Sequence, residues 1–362
     1  MLALAFAIFQ LASPSPEAPY REPQLASSPQ TVVLTFGAGK GIFVATSSDR
    51  GRNFSKPVLV AELQVLPLSR HRGPRVAISQ GTLVVTAVAG QTEATGAHAH
   101  GLPSDGDLLA WRSSDGGKTW SKAVRVNDVP AAPREGLHTL TADGQGNLFA
   151  AWLDLRGGGG PHKKGTRLYG AYSKDSGATW SPNVLLYESP EGSICECCHP
   201  SALFSRDAQS GSTSLEVMWR NWLGGSRDFY LIRSNTGGPF SKPEKLGQGT
   251  WKINACPMDG GGIARDGNRT VTAWRRDGEV FLAEPGRAEI KMGEGKDVAV
   301  AAGRGEVHAV WIKGTQLLSY RDGKIEVLAD DAAFPNIAAL PEGGTLTAWE
   351  SKGSIMVRRS KD

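Results

Sequence analysis

Apolar residues in this chain come in short runs of about five to eight, cut by Gly, Asp and Asn, a pattern that reads as strands and tight turns. Val32–Phe36 and Leu83–Val88 are two such runs. Long stretches with a 3.6-residue period are missing, so helices are not expected. A strand ending in a small residue plus Trp recurs as Ala151-Trp152, Met218-Trp219, Ala273-Trp274, Val310-Trp311 and Ala348-Trp349. A short apolar strand and a turn precede each, as in Leu140-Thr141-Ala142-Asp143-Gly144. Another strand follows, such as Arg167–Ser173 or Asp228–Ser234, and then a fourth. Seven units of this kind begin near Pro23, Pro74, Leu137, Pro200, Pro257, Asp297 and Pro335. Four-stranded sheets repeated this way suit a β-propeller, whose radial packing buries both faces of each sheet. The fold class is therefore all-β, with seven blades expected and six as the alternative if the first and last units merge. The last unit runs out after Val357, and a segment around Glu17–Glu22 is expected to supply its missing strand.

Three copies of Ser-x-Asp-x-Gly-x-x-aromatic punctuate the array: Ser47–Phe54, Ser113–Trp120 and Ser173–Trp180. A worn fourth copy spans Ser234–Phe240, and the aromatic positions stand 66, 60 and 60 residues apart. The physical reading is a tight turn. Asp accepts backbone N–H groups, Gly takes a dihedral closed to other residues, and the aromatic ring packs beneath. These copies resemble the Asp-boxes (BNR repeats) of sialidase-like β-propellers, and the similarity runs through the repeat layout from about residue 22 to the end. In such blades the box lies between strands three and four. The opposite rim is built from the strand 2–3 loops and the connections between blades.

Composition narrows the class. The 362 residues carry 45 Gly and 10 Trp, with 40 basic and 36 acidic residues for a net charge of +4. That balance argues against a nucleic-acid partner. No apolar run is long enough to span a membrane as a helix. Leu2–Ala12 is an apolar run of signal-peptide length followed by Ser13-Pro14-Ser15-Pro16, though no Lys or Arg precedes Arg21. Residues 1–18 are therefore expected to be an export leader or disordered, with a monomeric, single-domain propeller over 19–362. The competing reading is a buried first strand.

The orientation supplied by the boxes places all four cysteines on the opposite rim: Cys195, Cys197 and Cys198 before unit four, and Cys256 before unit five. His71, His138, His199, His98, His100 and His162 fall on or beside it, and Met258 and Asp259 follow Cys256. Aligning units four and five on Asp207 and Asp266 matches Cys197 with Cys256 and His199 with Met258. Two disulfides bracing neighbouring blades are one reading, natural in an exported chain with an even cysteine count. A soft-metal site on Cys197, Cys198, His199, Cys256 and Met258 is another, and that donor set favours copper over a hard cation. A redox-active thiol pair is the third.

The resemblance also implies a catalytic set on this rim: three arginines clamping a substrate carboxylate, a Tyr nucleophile with a Glu partner, and an Asp acid/base. The matching candidates here are Arg72, Arg134, Glu135, Arg220, Arg227 and Asp228. Arg72-Gly73-Pro74 stands where family members carry Arg-Ile-Pro, with Gly in the apolar place. No tyrosine is well placed: Tyr230 begins a strand near the rim and Tyr320 lies toward the box side. Gly37-Ala38-Gly39-Lys40-Gly41 joins two strands and opens no helix, so it is not a phosphate loop. Three functions follow as expectations: a propeller acting on or binding glycans at this rim, such as an exo-glycosidase releasing acidic sugars; a Cys/His metal or redox protein; or a binding scaffold with structural disulfides.

Overall fold

A computed structural model describes residues 8–96, 99, 101–158, 164–206, 211–235 and 238–360. His98, His100 and His162 lie outside the described residues, as do Met1–Ala7 of the expected leader and Thr236-Gly237 of the fourth box copy. Seven four-stranded antiparallel sheets form the molecule, and no helix occurs among the described residues. The innermost strands are Arg21–Ser27, Arg75–Ser79, His138–Ala142, Ser201–Arg206, Gly262–Asp266, Lys296–Gly303 and Ala333–Ala339. Each packs on the next and the seventh returns to the first, so the sheets close a ring. The fold is a seven-bladed β-propeller, and each expected unit start falls within a few residues of its innermost strand.

Second strands carry the core because both faces of a blade are covered by its neighbours. Trp152, Trp219, Trp274, Trp311 and Trp349 all lie there and are buried, with Phe36 in the same role in blade 1. The Ser-Asp-Gly turns join third and fourth strands as expected. In blade 2, Ser113 Oγ takes the Gly117 N–H at 2.8 Å, while Asp115 takes those of Lys118 and Thr119 at 3.0 Å each. The glycines have φ of +81° at Gly51, +89° at Gly117 and +82° at Gly177. They also seat the turn on the preceding blade: Gly51 lies on Leu346, Gly117 on Thr46 as well as on Leu83 of its own blade, and Gly177 on Val84. Clefts remain at the seams between blades 5 and 6 and between blades 6 and 7, where the sequence has no such turn. The latter, about 460 Å³, is lined by His308, Thr345 and Arg359.

The ring closes differently from the expectation. The fourth strand of blade 7 is Ile8–Leu11, paired antiparallel with Ser354–Arg359 in the register Ile8↔Arg358 to Leu11↔Ile355. Glu17–Glu22 instead leads into blade 1, whose innermost strand starts at Arg21. An apolar edge strand and the core of an export leader have the same composition, which is why the two readings competed. Leu11 joins Phe36, Leu346 and Ile355 in the core shared by blades 1 and 7.

Candidate metal centre at the channel mouth

The connection from blade 3 to blade 4 brings three cysteines together. It is anchored where the Ile194 N–H meets the Thr166 carbonyl at 3.0 Å and the Cys195 N–H meets the Arg220 carbonyl at 3.2 Å. Cys195, Cys197 and Cys198 are buried, and their sulfurs lie 3.6 Å (195–197), 3.6 Å (195–198) and 3.9 Å (197–198) apart. All four cysteines are free in this structure, and the three neighbouring sulfurs stand beyond bonding distance of one another. Cys256 arrives from the connection between blades 4 and 5. It is half-buried, its Sγ is 3.6 Å from Glu196 Oε1, and it packs with Met258 against the other three.

Charge surrounds this sulfur cluster. Arg227 Nη1 donates to Cys195 Sγ at 3.0 Å and faces Glu196 at 3.4 Å. Arg220 and Arg275 share the buried carboxylate of Asp259 at 3.2 and 3.0 Å. Arg72 faces Glu135 at 3.6 Å, and its charge is felt by Cys197. Within this set four guanidiniums meet three carboxylates, leaving one positive charge for the sulfurs. Burial pushes the Cys195 thiol up, but its hydrogen bonds with Cys197 and Cys198 and the Arg227 charge outweigh it and bring it well below the ordinary thiol range. Cys197 moves the opposite way because it donates to its sulfur neighbours.

Aromatic walls hold the guanidiniums in place. Arg220 lies over Phe229 at 4.2 Å and Trp251 at 5.2 Å, and Arg227 over Trp222 at 4.8 Å. The Arg72 loop is pinned by Glu22, whose carboxylate takes the N–H groups of His71 and Gly73 at 2.8 Å each. A Cβ on residue 73 would come within 2.5 Å of Glu22 Cβ, which explains glycine where the resemblance implies an apolar residue.

Other expected site residues go elsewhere. His199 does not face the sulfurs. Its ring lies tilted against that of His71, centroids 4.9 Å apart, its Nδ1 is 3.3 Å from the Pro200 carbonyl, and it lines the central channel with Asp297. Asp228 is a loop brace, taking the Trp251 N–H at 2.8 Å with Lys245 at 3.7 Å. Arg134 turns back to the Ala131 carbonyl at 3.3 Å. Of the implied catalytic set, Arg72, Glu135, Arg220 and Arg227 do gather at the rim, but each arginine faces a buried carboxylate. Tyr230 packs on Trp219, and the Tyr187 hydroxyl takes the Asn221 amide at 2.9 Å, so neither pairs with a glutamate. Glu196 was missed although it stands between two cysteines, a position that could have marked it as a charge partner.

No family model matches the chain, and no curated protein sequence matches it. Solved structures do. An ulvan lyase of polysaccharide lyase family PL25 superposes with a TM-score of 0.59 at 10% identity, covering 96% of this chain and 95% of the lyase. The intramolecular trans-sialidase of Ruminococcus gnavus gives 0.54 at 11%, covering 99% and 98%. The GH93 α-L-arabinofuranosidase of Fusarium graminearum gives 0.52 at 13%, covering 98% of each. The likeness is one of fold. These neighbours are sialidase-like and other glycan-active propellers.

Proposed function

We propose that this propeller holds a thiophilic metal ion, copper(I) foremost, on Cys195, Cys197 and Cys198 at the rim of its channel. The carrying observation is the sulfur triangle with sides of 3.6, 3.6 and 3.9 Å. Thiolates bound at about 2.3 Å to one ion stand about 3.8 Å apart in a tetrahedron and about 4.0 Å apart in a trigonal plane. Three sulfurs make a soft donor set, which selects copper(I) or zinc over hard cations. The surplus positive charge of the arginine set supports the negative charge that a metal–thiolate group would bring. The test is metal titration of the reduced full-length chain, with bound metal counted by mass spectrometry. A single ion per chain, lost in Cys195→Ser, Cys197→Ser and Cys198→Ser, is expected. A folded chain with four titratable thiols that retains neither copper(I) nor zinc would sink the proposal.

A glycan-acting protein is the second reading, and near full-length superposition on glycan-active propellers favours it. In that reading the Ser-Asp-Gly turns are Asp-boxes and the ligand sits on the same rim. A substrate carboxylate would have to displace Glu135, Asp259 or Glu196 from a buried ion pair, which weighs against a sialidase mechanism. Release of acidic sugar from sialosides or uronic-acid polysaccharides, abolished by Arg220→Met, would favour this reading over the first. Export belongs to both readings, and the N-terminal residue of the secreted chain tests it.

A further inference from the structure

Resting on the metal–thiolate reading, we infer that Cys256 is the exchange position through which the ion passes between the buried site and a thiol-bearing carrier. Cys195 and Cys198 are 0% and 1% exposed and Cys197 is 6%, so a carrier cannot reach them directly. Cys256 is the more exposed of the four. Its side chain packs against the three buried cysteines, and its sulfur contacts Glu196 at 3.6 Å. It lies outside the group of three whose sulfurs all fall within 4.8 Å of one another. An ion can therefore be bridged by Cys256 and Cys197 without being held by all four sulfurs in one shell. Cys256 also belongs to a different inter-blade connection, one free of regular strand from 253 to 261, whereas the other three share a single anchored segment.

The transfer is ligand exchange without redox change. A copper–sulfur bond to Cys256 forms as the bond to the carrier thiolate breaks, and the proton of the Cys256 thiol leaves on the carrier as its thiol. Cys197 then replaces Cys256 in the same way, its proton returning to the Cys256 sulfur, while Cys195 and Cys198 displace the remaining carrier thiolates, which leave carrying the two protons as thiols. Copper remains monovalent throughout. Glu196 lies between the two cysteine groups, and its Oε1 accepts the hydrogen bond of the Cys256 thiol at 3.6 Å, which orients that sulfur.

The experiment loads the full-length chain anaerobically from the copper(I)–glutathione complex, following acquisition by stopped flow and final stoichiometry by mass spectrometry. Cys256→Ser is expected to reach the wild-type stoichiometry about tenfold more slowly, because the first exchange must then occur at a buried sulfur. Equal rates would overturn the inference, and so would a lost equivalent of copper, which would make Cys256 a resident ligand. Iodoacetamide labelling of the loaded wild type gives an independent reading: Cys256 should be modified first, and uniform protection would count against its role. If the folded wild type takes up no metal at all, the metal–thiolate reading has failed, a result distinct from a kinetic defect confined to Cys256.

Discussion

Acid should destabilise this propeller through one channel histidine. His138 opens the innermost strand of blade 3 and is fully buried. Its Nε2 is 3.1 Å from Thr86 Oγ1 and its Nδ1 is 3.2 Å from the Gly136 carbonyl. Burial first, then the nearby Arg75 charge, drives its pKa down to about 3. The native ring is thus neutral, while the unfolded chain takes up a proton below about pH 6.5. The stabilisation is complete above that value and is lost as pH falls toward 3. At about 1.4 kcal/mol per unit, the loss reaches about 2 kcal/mol by about pH 5 and about 5 kcal/mol in the limit. His138→Gln keeps an amide able to bond Thr86 and Gly136 but cannot titrate. Urea unfolding of both proteins at about pH 7.5 and about pH 5 should show the variant losing about 2 kcal/mol less than the wild type. Other histidines titrate equally in both and cancel. Parallel losses in the two proteins would refute the assignment.

Gly177→Ala should lower stability by about 1–3 kcal/mol, because the residue sits at positive φ and a Cβ would stand 3.0 Å from Val84; an unchanged thermal midpoint would contradict the seating of the turn on blade 2. Arg227→Met leaves Glu196 buried without its cation and should cost about 3–5 kcal/mol. The double change with Glu196→Gln should recover much of that, and simple additivity in the unfolding cycle would argue against their coupling. Removing residues 1–12 strips the outer strand from Ser354–Arg359 and exposes an unpaired edge. That chain should melt lower and self-associate by light scattering; a monomer of unchanged stability would show that Ile8–Leu11 adds nothing.

Repeat architecture was legible in the sequence because each blade solves the same packing problem with the same local signals. Trp at the end of a second strand and Gly at a turn with positive φ report their own surroundings. The rim carrying the cysteines was legible for the same reason: the turns orient every blade. Side-chain direction within that rim was not. His199 aligns with Met258 by position, yet its ring turns into the channel toward His71, while Met258 stays against the sulfurs. Charge partners were hidden too, since Asp259 joins Arg220 across 39 residues and Glu196 joins Arg227 across 31. The first pairing exists only once blades 4 and 5 are side by side, and the second only once blade 4 has folded back on its own entry connection. The closing strand was misplaced because hydrophobicity alone does not distinguish a segment that leaves the protein from one that completes it.

The pairing of Ile8–Leu11 with Ser354–Arg359 sets an order of events during synthesis. Among the strands of the ring, the earliest to be translated pairs with one translated only after six blades have been made. Until then an apolar segment ahead of blade 1 stays unpaired, accessible to a targeting factor or chaperone, and the nascent ring stays open. Contacts this distant in sequence form slowly, so closure is expected to be the late, rate-determining step of maturation. A nascent chain stalled before residue 354 would accordingly be bound by such factors and sensitive to protease at its N-terminus, whereas the released protein would be neither.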